Sequence, residues 1–153
     1  SAASDVYKRQ ALGCVEQRGS LTVQALPFVR QQDYDRLLWS CDFNAVRGED
    51  SFVRAQWAGR PLLWHIYEQE EDAHWIKLNA FLTLYIKGLS PAAAHAFTGL
   101  WHAWNAGSDM APSWNGVQEY WLEISEHAEK WCREQSLQAD LAQALVLFYR
   151  NWI

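Results

Sequence analysis

The chain has 153 residues, of which 50% are apolar, 20% charged and 14% aromatic. That length and apolar content predict a compact domain with a core of its own, and exclude a disordered tail, a collagen-like repeat and a disulfide-stapled miniprotein. Thirteen Lys+Arg against eighteen Asp+Glu leave a formal charge of −5, which offers no basic stripe for nucleic acid, and no apolar run approaches the ~20 residues that span a bilayer.

Cys14, Cys41 and Cys132 are odd in number, with no pair at metal-ligand spacing. They predict three reduced, mostly buried thiols of a cytoplasmic protein with no metal and no membrane partner. The ten tryptophans are expected mostly in the core, where their large apolar area stabilises a small domain.

Residues 1–10 have neither a helical nor a strand period. The run Asp5-Val6-Tyr7-Lys8-Arg9-Gln10 resembles the translation of a transposon adapter used in shotgun DNA sequencing. These ten residues therefore read as an artefact, and the rest as a C-terminal piece of a longer chain. Residues 21–26 alternate as a strand that ends at Pro27. Residues 33–40 read as a short helix with Tyr34, Leu37 and Leu38 on one face and Asp33 as N-cap. Residues 42–46 and 62–66 are short apolar runs of the kind found in buried parallel strands. Between them residues 51–58 suit a helix stopped by Gly59 before Pro61. This β-α-β-α-β order predicts an open parallel sheet with right-handed crossovers.

From residue 73 the pattern turns helical. Residues 73–86 place Leu78, Phe81, Leu82 and Tyr85 on one face, and Ser90-Pro91 opens a helix through Trp104. After a loop at 107–112, residues 114–135 carry Val117, Tyr120, Trp121, Ile124, Ala128 and Trp131 at core-facing spacing. Residues 137–152 repeat that stripe with Leu141, Leu145, Phe148 and Trp152. The expected architecture is α/β: a three-layer, Rossmann-like half with a parallel sheet, followed by several C-terminal helices, all in one domain over residues 11–153.

The strongest chemical signal is Arg47-Gly48-Glu49-Asp50-Ser51, between a strand end and a helix start. Ligands of open α/β sheets bind at such carboxyl ends, and a helix N-terminus offers free N–H groups to phosphate. Arg47 suits a diphosphate, Ser51 could donate its hydroxyl, and Gly48 lets backbone approach a ligand. An equally open alternative is an ordinary helix start, capped by Asp50 or Ser51 with Arg47 as a surface charge. A second cluster holds Phe28, Gln31 and Tyr34, where aromatic faces beside an amide could stack on and read a base. Taken alone, Phe28 and Tyr34 read more readily as core or helix-packing residues. A third runs from His65 through Tyr67 to His74. Its histidines match no metal pattern, and it reads as a solvated acidic helix start, with Tyr67 within possible reach of phosphate. His95, His102 and His127 read as helix-surface or satisfied core residues. The three clusters are expected to converge on one crevice. Walker, Gly-x-Gly-x-x-Gly, Gly-x-Ser-x-Gly and Ser-His-Asp patterns are missing, which removes the common ATP, NAD and hydrolase readings.

The stretches Leu26-Pro27-Phe28, Asp33 to Trp39, Cys41-Asp42-Phe43-Asn44, Arg47 to Trp57, Gly59-Arg60-Pro61 and Trp64-His65-Ile66-Tyr67 together resemble the EarP family, the protein-arginine rhamnosyltransferases of elongation factor P. The resemblance covers residues 21–152 and is strongest over 26–82. It implies the C-terminal, donor-binding domain of a GT-B glycosyltransferase that takes dTDP-β-L-rhamnose. By the same resemblance Phe28 and Gln31 hold the thymine, with Tyr34 as aromatic neighbour. Arg47, Gly48, Asp50 and Ser51 bind the diphosphate, Glu49 contacts the donor and assists transfer, and Tyr67 lines the phosphate side. Arg47 and Glu49 are thus the residues implied in catalysis, with no cofactor. Glu68 departs from the proline usual there.

The implied reaction is an inverting displacement in which an arginine of elongation factor P attacks the anomeric carbon. Its general base is an aspartate of the family's N-terminal domain, so this chain alone is expected to bind nucleotide weakly and not turn over. The other readings are a GT-B domain for a different nucleotide sugar, and a non-catalytic nucleotide- or protein-binding module.

Overall fold

The structure, a computed structural model, describes residues 15–69 and 72–152. The adapter-like residues 1–10, Cys14 and the acidic pair Glu70-Glu71 lie outside the described residues. The chain divides into two compact units, Ser1–Arg36 and Leu37–Ile153.

In the first unit, β1 (Val15–Arg18) and β2 (Leu21–Gln24) form an antiparallel hairpin with Val15 opposite Gln24 and Arg18 opposite Leu21. Gly19, at φ 62°, takes the left-handed backbone that a two-residue hairpin turn requires. The strand expected at 21–26 therefore exists in shortened form, but it is not a strand of a parallel sheet. Its partner is its own antiparallel neighbour, and all four β2 residues are exposed. The reason is local: the tight turn supplies a partner two residues away, whereas a parallel neighbour needs a long crossover.

Helix α1 (Gln31–Ser40) begins two residues before the expected start. Asp33 is not its cap. The Arg30 carbonyl accepts from the N–H groups of Asp33 and Tyr34, and the Asp33 carboxylate pairs with Arg30 Nε at 3.0 Å.

In the second unit, β3 (Asn44–Val46) and β4 (Leu62–Trp64) pair in parallel, with Val46 opposite Trp64, across helix α2 (Glu49–Trp57). This is one β-α-β unit. The larger parallel sheet is not formed among the described residues, where each sheet has two strands. All of β4 is buried, whereas β3 buries Asn44 and Val46 and exposes Ala45. Buried Asn44 is satisfied: its amide donates to the Leu38 carbonyl at 3.0 Å, and its backbone N–H to Pro61 at 2.9 Å.

Helix α3 (Ala73–Tyr85) buries Leu78, Leu82 and Tyr85, as its spacing predicts. Helix α4 (Pro91–Ala106) is capped by the Ser90 hydroxyl, which accepts from the Ala93 N–H, and ends at Gly107 with φ 64°. The expected single helix over 114–135 is two: α5 (Ala111–Glu119), which starts inside the predicted loop, and α6 (Trp121–Ser136). At Tyr120, φ −103° and ψ 23° interrupt the helix. Two turns of continuous helix would rise ~10 Å; with the break, the rings of Trp114 and Trp121 lie 6.3 Å apart and both pack on Phe43.

The core between α3, α4 and α6 is a ring cluster of Phe81, Tyr85, Phe97, Trp101 and Trp131. Trp64 and Trp101 are buried; Trp75, Trp104, Trp114, Trp121 and Trp131 are half-buried; Trp39, Trp57 and Trp152 are exposed. Cys41 and Cys132 are free, but Cys41 is exposed and Cys132 only half-buried, contrary to the expectation of buried thiols. Helix α7 (Leu141–Arg150), capped by Asp140, corrects the sequence reading most sharply. Its apolar stripe faces no core: Leu141, Leu145 and Phe148 are exposed, and beyond the helix Trp152 is 80% exposed. The periodicity is real, but the described residues put nothing over it. No helix among the described residues is long and apolar enough to cross a membrane.

Candidate functional site

Strand β3 ends at Val46, and the next residues, Arg47 and Gly48, lead into α2. Gly48 is the N-cap residue in extended backbone (φ −66°, ψ 150°), and no side chain caps the helix. The first helical bond runs from the Phe52 N–H to the Gly48 carbonyl, so the helix itself leaves the N–H groups of Glu49, Asp50 and Ser51 open. The capping alternative is thereby overturned. Asp50 instead turns along the helix, its carboxylate 2.8 Å from Arg54 Nε, and Ser51 is half-buried with its hydroxyl on the Gly48 side. Gly48 has a backbone any residue adopts, and an added Cβ would meet only the Ser51 hydroxyl, at 3.7 Å. The fold does not demand glycine there.

Arg47 is exposed, yet it is held at both ends. Its carbonyl accepts from the Trp64 indole N–H at 2.9 Å, and its guanidinium carbon lies over the Tyr67 ring, 4.8 Å from the centroid. Tyr67 follows β4, so the loops after the two parallel strands meet in this contact. Trp64 in turn stacks on Phe52 of α2, with ring centroids 4.1 Å apart and 10° between planes.

His65 sits between these groups, half-buried against Trp104. Burial first, and the Arg47 charge second, hold its pKa below the ordinary 6.5, with Glu68 opposing. The ring is thus neutral near pH 7, and Arg47 is the cation of the pair.

Of the residues expected to bind ligand, Arg47, Gly48, Glu49, Asp50, Ser51 and Tyr67 belong to this second unit, and Arg47 and Tyr67 are in contact. Glu49 is exposed in the first turn of α2. Phe28, Gln31 and Tyr34 belong to the first unit, where Phe28 is fully exposed, Gln31 opens α1 and Tyr34 is half-buried. His74 is not part of a solvated helix start: it is buried, and its Nδ1 accepts from the Gln69 N–H at 3.2 Å. His127 is likewise buried and bonded to the Tyr85 carbonyl, while His102 pairs with Asn79. Among the described residues no three His, Cys, Asp or Glu side chains are grouped to hold a metal ion.

A separate groove of about 470 Å³ is lined by Gly88, Glu123, Glu126, His127, Glu129 and Lys130, among others. It shares no residue with the Arg47 loop, and its three glutamates outnumber the two cations Lys130 and Arg133, so an anion is better served at α2.

Sequence reasoning passed over Trp64 and Asn105 as parts of this site, and it placed His65 in the third cluster without a ligand-binding role. Asn105, near the end of α4, bonds to the backbone on both sides of His65. No local motif marks it.

The chain is 62% identical over 140 residues to a protein-arginine rhamnosyltransferase of Pseudomonas putida, covering 92% of this chain and 37% of that protein. It is 56% identical over 143 residues to one of Pseudomonas aeruginosa, covering 94% and 38%. It thus spans a little over a third of the length of these relatives. A solved structure from work on the structural basis of EarP-mediated arginine glycosylation of translation elongation factor EF-P is 53% identical. It superposes with a TM-score of 0.82 over 99% of this chain and 48% of that one. The family described as elongation factor P (EF-P) rhamnosyltransferase EarP matches residues 1–150, and the chain belongs to that family.

Proposed function

We propose that this chain is the donor-binding domain of a protein-arginine rhamnosyltransferase, of Rossmann-like GT-B type, and that it takes dTDP-β-L-rhamnose. The observation that carries the reading is Arg47, fixed over Tyr67 beside the uncapped start of α2. A cation–π contact uses none of the five guanidinium N–H donors, so the fixed Arg47 keeps them for the diphosphate. The Ser51 hydroxyl and the open N–H groups of α2 add donors, and the helix dipole favours the same negative charge.

In the proposed reaction a guanidino nitrogen of an elongation factor P arginine attacks the anomeric carbon. The bond from that carbon to the diphosphate oxygen breaks on the opposite face, which inverts the configuration. Negative charge grows on the departing diphosphate, where Arg47, Ser51 and the helix terminus stabilise it, in place of a metal ion. The proton lost by the arginine goes to a carboxylate base that the resemblance places in the family's other domain. Glu49 accepts from donor hydroxyls. Asp50 contributes its backbone N–H, because its carboxylate is engaged by Arg54. Phe28 and Gln31 take the thymine, with Tyr34 beside them. The acceptor, a translation factor, places the reaction in the cytoplasm.

Calorimetric titration of this chain with dTDP, UDP and GDP tests the reading. Saturable binding that prefers dTDP is expected. Arg47→Ala should weaken it by about tenfold to a hundredfold, the worth of one charge-assisted contact. Equal affinity for the three nucleotides, or full dTDP affinity in Arg47→Ala, would sink the assignment.

A further inference from the structure

Arg47 is an exposed side chain with many rotamers, and ordering such a chain on a ligand costs affinity unless the protein has ordered it beforehand. Two groups order it here: the Trp64 indole on its carbonyl and the Tyr67 ring under its guanidinium. Trp64 ends β4 and Tyr67 lies on the chain that leaves it, a segment with β3 on one side and α4 on the other.

Asn105 is the side chain that secures it. Its Oδ1 accepts from the Ile66 N–H at 3.0 Å, and its Nδ2 donates to the Trp64 carbonyl at 3.0 Å and to the Trp101 carbonyl at 2.9 Å. One planar amide therefore brackets His65, fixing the peptide groups before and after it. The His65 N–H is itself taken by the Val46 carbonyl at 2.8 Å, so three consecutive residues have their backbone fixed. Trp64 is the first of the three, and Tyr67 follows the last.

We propose that Asn105 is a positioning residue for the diphosphate-binding arginine: its amide fixes the backbone around His65, and so sets Trp64 and Tyr67 to hold Arg47 in its binding geometry. This rests on the reading of Arg47 as the diphosphate anchor. A merely structural Asn105 would support stability and leave the fixed arginine indifferent to its loss.

The test uses two readouts on the whole chain. The first needs no ligand: the NMR resonance of the Arg47 Nε–H, shifted by the Tyr67 ring current, should move toward the value of a free arginine in Asn105→Ala. The second compares affinities for dTDP and for thymidine. Asn105→Ala should weaken dTDP binding about three- to tenfold, the cost of ordering one long side chain, and leave thymidine binding unchanged. In an Arg47→Ala background the same change should have no effect on dTDP. Val117→Ala, a core truncation away from the bracket, supplies the comparison for lost stability and should leave the dTDP-to-thymidine ratio intact. Asn105→Ser, which keeps one polar group, replaces the alanine variant if that variant does not fold.

An unmoved Arg47 resonance, or equal weakening of dTDP and thymidine, overturns the role of Asn105 while the anchor reading stands. Full dTDP affinity in Arg47→Ala overturns the anchor, and with it this inference.

Discussion

Helices α4 and α5 approach each other through small residues, and Gly116→Ala tests what that closeness is worth. A Cβ built on Gly116 would lie 2.9 Å from the Ala96 Cβ, while one on Gly99 would lie 2.8 Å from the Ser113 hydroxyl oxygen. Carbon atoms pack best at about 3.5–4.0 Å, so the Gly116 methyl intrudes by roughly 1 Å. Two effects then oppose each other. Alanine is favoured over glycine inside a helix by about 1 kcal/mol, whereas overpacking costs about 1–3 kcal/mol. The Ala96 methyl is fixed to its backbone and cannot rotate away, so the helices must separate and the cost lies in the upper part of that range. A net loss of about 1–2 kcal/mol is expected, which is a fall in Tm of about 2–8 °C for a chain of this size. Gly99→Ala meets a hydroxyl that turns aside about one bond, and should cost less. Urea denaturation followed by tryptophan fluorescence measures both. The double variant Gly116→Ala, Ala96→Gly moves the methyl from one helix to the other and should recover most of the loss. A Gly116→Ala chain as stable as the parent would refute the reasoning, because helix propensity would then have won and the spacing would not be set by this contact.

Two other outcomes follow from the loop itself. Gly48→Ser places a better capping residue at the start of α2, so stability should hold or rise by a few tenths of a kcal/mol while dTDP affinity falls at least severalfold; retained affinity would show that the space before the helix is not used. His65 has a folded pKa below 6.5, so the unfolded chain takes up this proton first. Its contribution is complete above about pH 6.5 and is lost as the pH falls through the folded value. Partial exposure keeps the effect under about 1 kcal/mol. Urea midpoints at pH 7.5 and 5.5 should converge in His65→Gln relative to the parent, and an identical pH dependence in both would remove His65 from the account.

The parts of this molecule that were legible in the sequence are those whose physics is local. The apolar spacing of Leu78, Leu82 and Tyr85 and the Ser90-Pro91 start fixed α3 and α4 closely, because a helix and its caps are made of near neighbours. The Arg47–Ser51 loop was legible for the same reason, as it lies between an apolar run and a helical period. Its capping stayed open: Asp50 and Ser51 are good capping types, and the sequence does not show whether a side chain closes the first N–H groups of the helix, which in the fold none does. In β2 the alternation gave the strand and not its partner, which lies across the Gly19 turn. In α7 the stripe of Leu141, Leu145 and Phe148 records a face suited to burial, and pattern alone does not say what covers it. Asn105 is the extreme case. It stands 39 and 41 residues from the two groups it holds, and just before Gly107 an asparagine reads as part of a helix end. A side chain that satisfies another element's peptide groups leaves no pattern there, because every residue but proline carries the same N–H and C=O. Only the fold that brings α4 beside β4 reveals it.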